Sequence, residues 1–145
     1  MQVRELMTPD VVTAAPDEGL RACVERMLRE GVGSVVIVAD GTHRGIVTES
    51  DALLAAYRTE RPLGEIPARA AMSSPIERVS PSATALKAAR RMEDAGVKKL
   101  AVVEDLELRG IVTLSDVVEH LDRVHDEARE IARTRKRWND AEHFR

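Results

Sequence analysis

Hydrophobic and polar positions along this chain alternate between two periods, and the alternation occurs twice. Leu20, Cys23, Val24, Met27 and Leu28 recur at helical spacing, which predicts an amphipathic helix with Cys23 on its core face and Asp17 as its N-cap. Gly31 stands where a left-handed C-cap belongs. The run Ser34-Val35-Val36-Ile37-Val38-Ala39 is continuously apolar and β-branched, as expected of a strand covered on both faces. Val11 to Thr13 reads as a short strand before it. Asp40-Gly41 supplies a hairpin turn, Gly45-Ile46-Val47 a third strand, and Ser50 to Tyr57 a second helix.

Sixty-five residues on, the order repeats: Ile76 to Val79, a helix over Ser82 to Ala95 built on Ala85, Ala88, Ala89 and Met92, a strand over Leu100 to Val103, then Gly110-Ile111-Val112 and a helix from Asp116. Met7 falls on Met72, Met27 on Met92, Gly31-Val32 on Gly96-Val97 and Arg44 on Arg109. The stretch Gly45-Ile46-Val47-Thr48-Glu49-Ser50-Asp51 returns without a gap as Gly110-Ile111-Val112-Thr113-Leu114-Ser115-Asp116. Two units of about 50 residues each bury too little surface to stand alone, so they are expected to pack as one body with approximate two-fold symmetry. The divisions are unit 1 over 1–57, a linker over 58–71, unit 2 over 72–121 and a C-terminal helical extension over 122–145. The helix read from Glu119 to the end, which runs into that extension, carries Leu121, Val124, Ala128, Ile131, Ala132 and Trp138 as its apolar stripe, with acids early and Arg129, Arg133, Arg135, Lys136 and Arg137 late.

Composition narrows the function classes. A net charge of −3 over 145 residues gives no global basic field of the kind a nucleic-acid binder shows, which leaves only the basic end of the tail for a weak contact of that sort. One cysteine excludes an internal disulfide, and four histidines without ligand spacing make no metal site. No run of about 18 apolar residues and no signal-peptide pattern is present, so the expectation is a soluble, cytoplasmic protein. With Tyr57, Trp138 and Phe144 the only aromatics, a planar ligand would have to lie between aliphatic side chains.

The Thr48/Asp51 and Thr113/Asp116 pairs have the spacing of a helix capping box. The same groups suit a nucleotide: a carboxylate accepts from vicinal ribose hydroxyls, and hydroxyls with free helix N–H groups suit phosphate oxygens. The preceding glycine could let a ligand approach or could simply lend backbone freedom.

Two gapless copies of GIVTxSD, each preceded by a helix, a Gly-Val and a β-branched strand, resemble a tandem pair of cystathionine-β-synthase (CBS) domains, or Bateman module, over roughly residues 3 to 121. The resemblance implies an α/β (α+β) fold of two βαββα-type units whose three-stranded sheets face each other. It also implies two clefts, each assembled across units, and a regulatory rather than catalytic role. By that resemblance Thr113, Ser115 and Asp116 would hold ribose and phosphate with Ile111 beside adenine, and the segment of Thr8, Pro9, Val11 and Val12 with Val32 and Gly33 would close the cleft. The symmetric cleft would use Ile46, Thr48, Ser50 and Asp51 with Ser73 to Glu77, including Ile76, and with Val97 and Lys98. Lys98-Lys99 stands where unit 1 has Gly33-Ser34. In related modules a basic residue near Lys98 reaches the phosphates bound to its own unit's motif, so the Asp116 cleft is expected to prefer a charged nucleotide. The expected ligand is an AMP, ADP or ATP-like nucleotide acting as a regulator, with no cofactor required. S-adenosylmethionine or NAD is an alternative, as is a ligand-free structural module. A homodimer and an unidentified regulated protein complete the implied partners.

Overall fold

The computed structural model describes residues 1–121 together with 129–130 and 132–133. Of the tail, Val124, Ala128, Ile131, Trp138 and the basic residues from Arg135 to Arg137 lie outside the described residues.

Unit 1 runs β1 (Thr13–Ala14), α1 (Leu20–Glu30), β2 (Ser34–Ala39), β3 (Thr42–Thr48) and α2 (Glu49–Thr59). After a short helix α3 (Ala68–Ala71), unit 2 repeats it as β4 (Arg78–Val79), α4 (Ala85–Ala95), β5 (Lys99–Glu104) and β6 (Glu107–Thr113), followed by a helix α5 over 114–121. Each unit forms a three-stranded sheet in sequence order, with the first pair of strands parallel and the second antiparallel. Val36 pairs with Ile46 in one sheet as Ala101 pairs with Ile111 in the other.

The middle strands are covered on both faces, as their continuous apolar runs require. Val35, Ile37 and Val47 face α1 and α2 with Leu20, Cys23 and Met27, whereas Val36, Ile46, Ile76, Ala101 and Ile111 form a separate core where the two sheets meet. Cys23 is fully buried, as its place on the stripe predicts.

Three local expectations are corrected. The cap of α1 is Gly19, not Asp17, since the helix starts only at Leu20 and the Glu18 carboxylate instead accepts from the Ala15 N–H at 2.6 Å. The cap of α4 is Thr84, whose hydroxyl accepts from Lys87 N–H, so that helix starts after Ser82. Leu28 continues the apolar spacing but is 78% exposed.

The segments flanking each unit cross over. Val3 is fully buried in the core of unit 2, where Val3 N–H donates to Ala83 O at 2.8 Å and Ala85 N–H to Met1 O at 3.0 Å. Reciprocally, Ile66 and Ala68 are buried in the core of unit 1. The stretch between the units is thus part of a core as well as a connector. Two bodies that each lend a segment to the other cannot separate without opening both cores.

Candidate functional site

The crossing continues into the motif strands. Thr8 and Ile111 exchange both backbone hydrogen bonds, at 2.8 and 3.0 Å, and Ser73 and Ile46 do the same at 2.8 and 3.0 Å. Each motif is therefore edged by the segment that leads into the other unit. This fixes the role of its glycine: a Cβ on Gly110 would lie 2.7 Å from Thr8 O and 2.8 Å from Met7 Sδ, and one on Gly45 would lie 2.6 Å from Ser73 O and 2.9 Å from Met72 Sδ. Neither glycine has a positive φ, so backbone freedom is not what either supplies. They are small so that a foreign backbone can lie against the strand, and the repeated Met7 and Met72 are the side chains that cover them.

Past the glycine, each strand ends in a capped helix. Thr48 N–H donates to Asp51 Oδ2 at 2.9 Å and Asp51 N–H to Thr48 Oγ1 at 3.2 Å. The second copy is the same, with Thr113 N–H to Asp116 Oδ2 at 2.8 Å and Asp116 N–H to Thr113 Oγ1 at 3.2 Å. Capping is thus real in both copies and uses one carboxylate oxygen of each aspartate.

The remaining oxygens differ. Asp51 Oδ1 accepts from Ser73 Oγ at 3.1 Å, and Thr48 Oγ1 adds a 3.0 Å bond to Oδ2. Thr8, which stands in Ser73's place at the other cleft, makes no such bond, and among the described residues Asp116 Oδ1 has no hydrogen-bond partner. One motif carboxylate is closed by its neighbour and the other is open.

The open carboxylate lines a cavity of about 160 Å³ with Thr8, Asp10, Val11, Val12, Val32, Gly33, Ser34, Lys99, Ile111 and Thr113. Most residues expected at this cleft are therefore together. Pro9, Ser115 and Lys98 do not line it; all three are exposed. Around Asp51, Ile46 and Ile76 are buried in the inter-sheet core, Val97 packs against the core of unit 2, and Ser50 is exposed.

Of the two adjacent lysines expected at the clefts, Lys98 and Lys99, it is Lys99 that lines this cavity. A strand turns alternate residues to opposite faces, so Lys99 shares the face of Ala101, which looks across at the other sheet. Its Nζ comes within 2.9 Å of where a Gly33 Cβ would be, and Glu49 Oε1 lies 2.5 Å from the same point. Burial lowers the Lys99 pKa from 10.5, partly countered by the carboxylates of Glu49 and Asp51. The sign follows: a lysine whose folded pKa is depressed opposes folding while charged, and the penalty lifts as pH rises through that folded pKa. Lys99→Met, which keeps the stem and removes the charge, is expected to raise the melting temperature by a few degrees at pH 7, with the gain shrinking toward pH 10; an unchanged or lower melting temperature would contradict this placement of the charge.

Val32 and Gly33 also border a second, larger cavity of about 630 Å³ between α1 and α2, walled by Val24, Met27, Leu28, Ala52 and Leu53. Among the described residues there is no group of three or more His, Cys, Asp or Glu placed to hold a metal, and no helix is long and apolar enough to cross a membrane.

Comparison with known proteins agrees with this architecture. The family model described as CBS domain matches twice, over residues 3–58 and 63–123. An uncharacterized protein of Methanopyrus kandleri is 33% identical over 121 residues, covering 82% of this chain and 62% of that protein. Another, from Methanocaldococcus jannaschii, is 29% identical over 133 residues, 83% of this chain but 32% of that protein, so the chain spans under two thirds of either relative. The crystal structure of a CBS-domain containing protein from Agrobacterium tumefaciens superposes with a TM-score of 0.76 at 27% identity, covering 83% of this chain and 98% of that one.

Proposed function

We propose that this chain, which belongs to the CBS-domain family and carries its two units in tandem, is a regulatory module that binds an adenosine-containing nucleotide in the Asp116 cleft. The observation that carries the reading is the unspent Asp116 Oδ1 beside aliphatic walls and a lysine. Asp116 would accept from the ribose hydroxyls while its other oxygen keeps the cap. Val11, Val12, Val32 and Ile111 offer flat aliphatic surface to adenine, and Thr113 with the first N–H groups of α5 faces the phosphates. Lys99 supplies the positive charge, so AMP, ADP or ATP is favoured over an uncharged adenosine compound.

The cavity is smaller than the roughly 300 Å³ at which small-molecule pockets begin. A nucleotide would therefore fill it and project its phosphates past Lys99, drawing the ammonium away from Gly33 and Glu49. Because Val32 and Gly33 belong to both cavities, that displacement gives ligand binding a route to the α1/α2 face, where we place the contact with a second copy. Regulation then requires only that the nucleotide bind two arrangements unequally. No bond is broken, and catalysis is not part of the reading.

A second reading, a ligand-free structural module, is favoured by the complete capping boxes in both copies. A thermal-shift screen with AMP, ADP, ATP, NAD and S-adenosylmethionine separates the two, since a ligand of the native state raises the melting temperature by mass action. Shifts that grow with phosphate number are expected. No shift with any of the five at millimolar concentration selects the structural module.

A further inference from the structure

The pseudo-two-fold symmetry provides an internal control for charge, and in one place the two halves disagree strongly. A groove of about 440 Å³ runs between the β2–β3 hairpin of unit 1 and the segment leading into β4, lined by Arg44, Ile76, Arg78, Arg91 and Leu106 among others. It continues into a cavity of about 320 Å³ that shares Arg78, Arg91 and Leu106 and adds Lys87 and Asp105.

The symmetry-related place pairs its cations within the protein. Arg26, the counterpart of Arg91, donates to both oxygens of Glu18 at 2.9 and 2.5 Å and to Thr13 O at 3.0 Å, and Arg109, the counterpart of Arg44, pairs with Glu107 at 3.1 Å. In the groove both carboxylates are missing: Ala83 stands for Glu18 and Thr42 for Glu107. Arg44 has no carboxylate partner among the described residues. Arg91 keeps a single 3.3 Å contact to Glu77 with half its side chain exposed.

New cations are added as well. Arg78 replaces the equivalent of Thr13, and Lys87 that of Ala22. The groove therefore holds four permanent cations against Glu77 and Asp105, where its counterpart holds two against Asp10, Glu18, Asp40 and Glu107. His43, which also lines the groove, has its pKa lowered first by burial and then by the charge of Arg78. Leu106 at the junction of the cavities adopts φ 65, where unit 1 has Gly41, and is 81% exposed. The conformation is that of the two-residue hairpin turn, which Asp40 and Gly41 adopt in unit 1 at φ 53 and 73, so the leucine carries the strain that glycine avoids there.

We propose that this groove is a second ligand site, for a compact polyanion carrying two or more phosphate groups, separate from the Asp116 cleft. Guanidinium forks suit phosphate oxygens bidentately, and two forks flanking one concavity suit adjacent phosphates. The concavity is of small-ligand size. These cations converge on one concavity, which suits a compact polyanion rather than a nucleic-acid duplex, whose phosphates are spread along a length.

Inorganic tripolyphosphate is the probe, titrated calorimetrically into the full chain. Binding is expected that weakens between about 50 and 200 mM salt. Grafting the sister carboxylates as Ala83→Glu with Thr42→Glu, which ties up Arg91 and Arg44, should lower the affinity about tenfold or more. The uncharged control Ala83→Gln with Thr42→Gln should retain it. The proposal is overturned if the wild type takes up no tripolyphosphate at the lower salt. Equal losses in the Glu and Gln variants, or tighter binding of duplex RNA than of tripolyphosphate, overturn it too.

Discussion

Gly110→Val is expected to unfold the junction between the two units, and Gly110→Ala alone to lower the melting temperature by about 10 °C, corresponding to about 3 kcal/mol. The added Cβ meets Thr8 O at 2.7 Å, and that oxygen is held by its hydrogen bond from Ile111 N–H. It cannot retreat without breaking the bridge that seats the N-terminal segment, whose Val3 is in the core of unit 2. Gly33→Ala is the matched control. Its Cβ would be as crowded, at 2.5 and 2.9 Å, but by the free ends of Glu49 and Lys99, which can swing aside. It should cost less than about 1 kcal/mol. Thermal unfolding followed by circular dichroism checks both; a Gly110→Ala variant that melts with the wild type would show that the crossing segment is not fixed where the structure has it.

If a second copy covers the α1/α2 face as proposed, Leu28→Glu combined with Leu53→Glu is expected to leave the protein a monomer. These leucines are 78% and 74% exposed on the rim of the cavity between α1 and α2, with Tyr57 83% exposed on the same helix as Leu53. An apolar opening of about 630 Å³ rimmed by exposed leucines is a surface that a second copy would cover. In a two-fold dimer each substitution counts twice. Burying a leucine contributes about 1.5 to 3 kcal/mol, and four leucines become four carboxylates, so the dimer is expected to weaken by more than about a thousandfold. Sedimentation velocity at micromolar concentration should show a wild-type dimer and a monomeric variant with unchanged far-UV circular dichroism. A monomeric wild type, or a variant that stays dimeric, would remove this face from the account.

Most of the architecture was legible in the sequence because it is written twice. The gapless motif, the β-branched strands and the repeated Gly31 and Gly96 all point one way, and the two sheets and the C-caps of α1 and α4 follow them, although the N-caps of those helices do not. What could not be read were contacts between residues far apart in the chain. Gly110 and Met7 are more than a hundred residues apart, so their repetition could be seen while their meeting could not. Leu28 fits the helical spacing as well as Met27 does, and spacing alone does not reveal that its neighbour is a groove. Lys98 and Lys99 were both expected at the clefts, and the choice between them was within reach: strand alternation lets only one of two adjacent lysines face the opposite sheet, and the parity of Ala101 selects Lys99. The difference between Asp51 and Asp116 turns on Ser73 against Thr8, a one-methyl change in sequence whose effect on hydrogen bonding needed coordinates.

That difference is also where the functional reading is most exposed. Calorimetric titration of ATP into wild type, Asp116→Asn and Asp51→Asn tests it, since asparagine keeps an acceptor for each helix cap while losing the carboxylate that would accept both ribose hydroxyls. One nucleotide per chain is expected for the wild type, with affinity reduced about tenfold to a hundredfold in Asp116→Asn and changed less than about twofold in Asp51→Asn. Equal losses in the two variants, or a loss confined to Asp51→Asn, would contradict the assignment of the open cleft to Asp116.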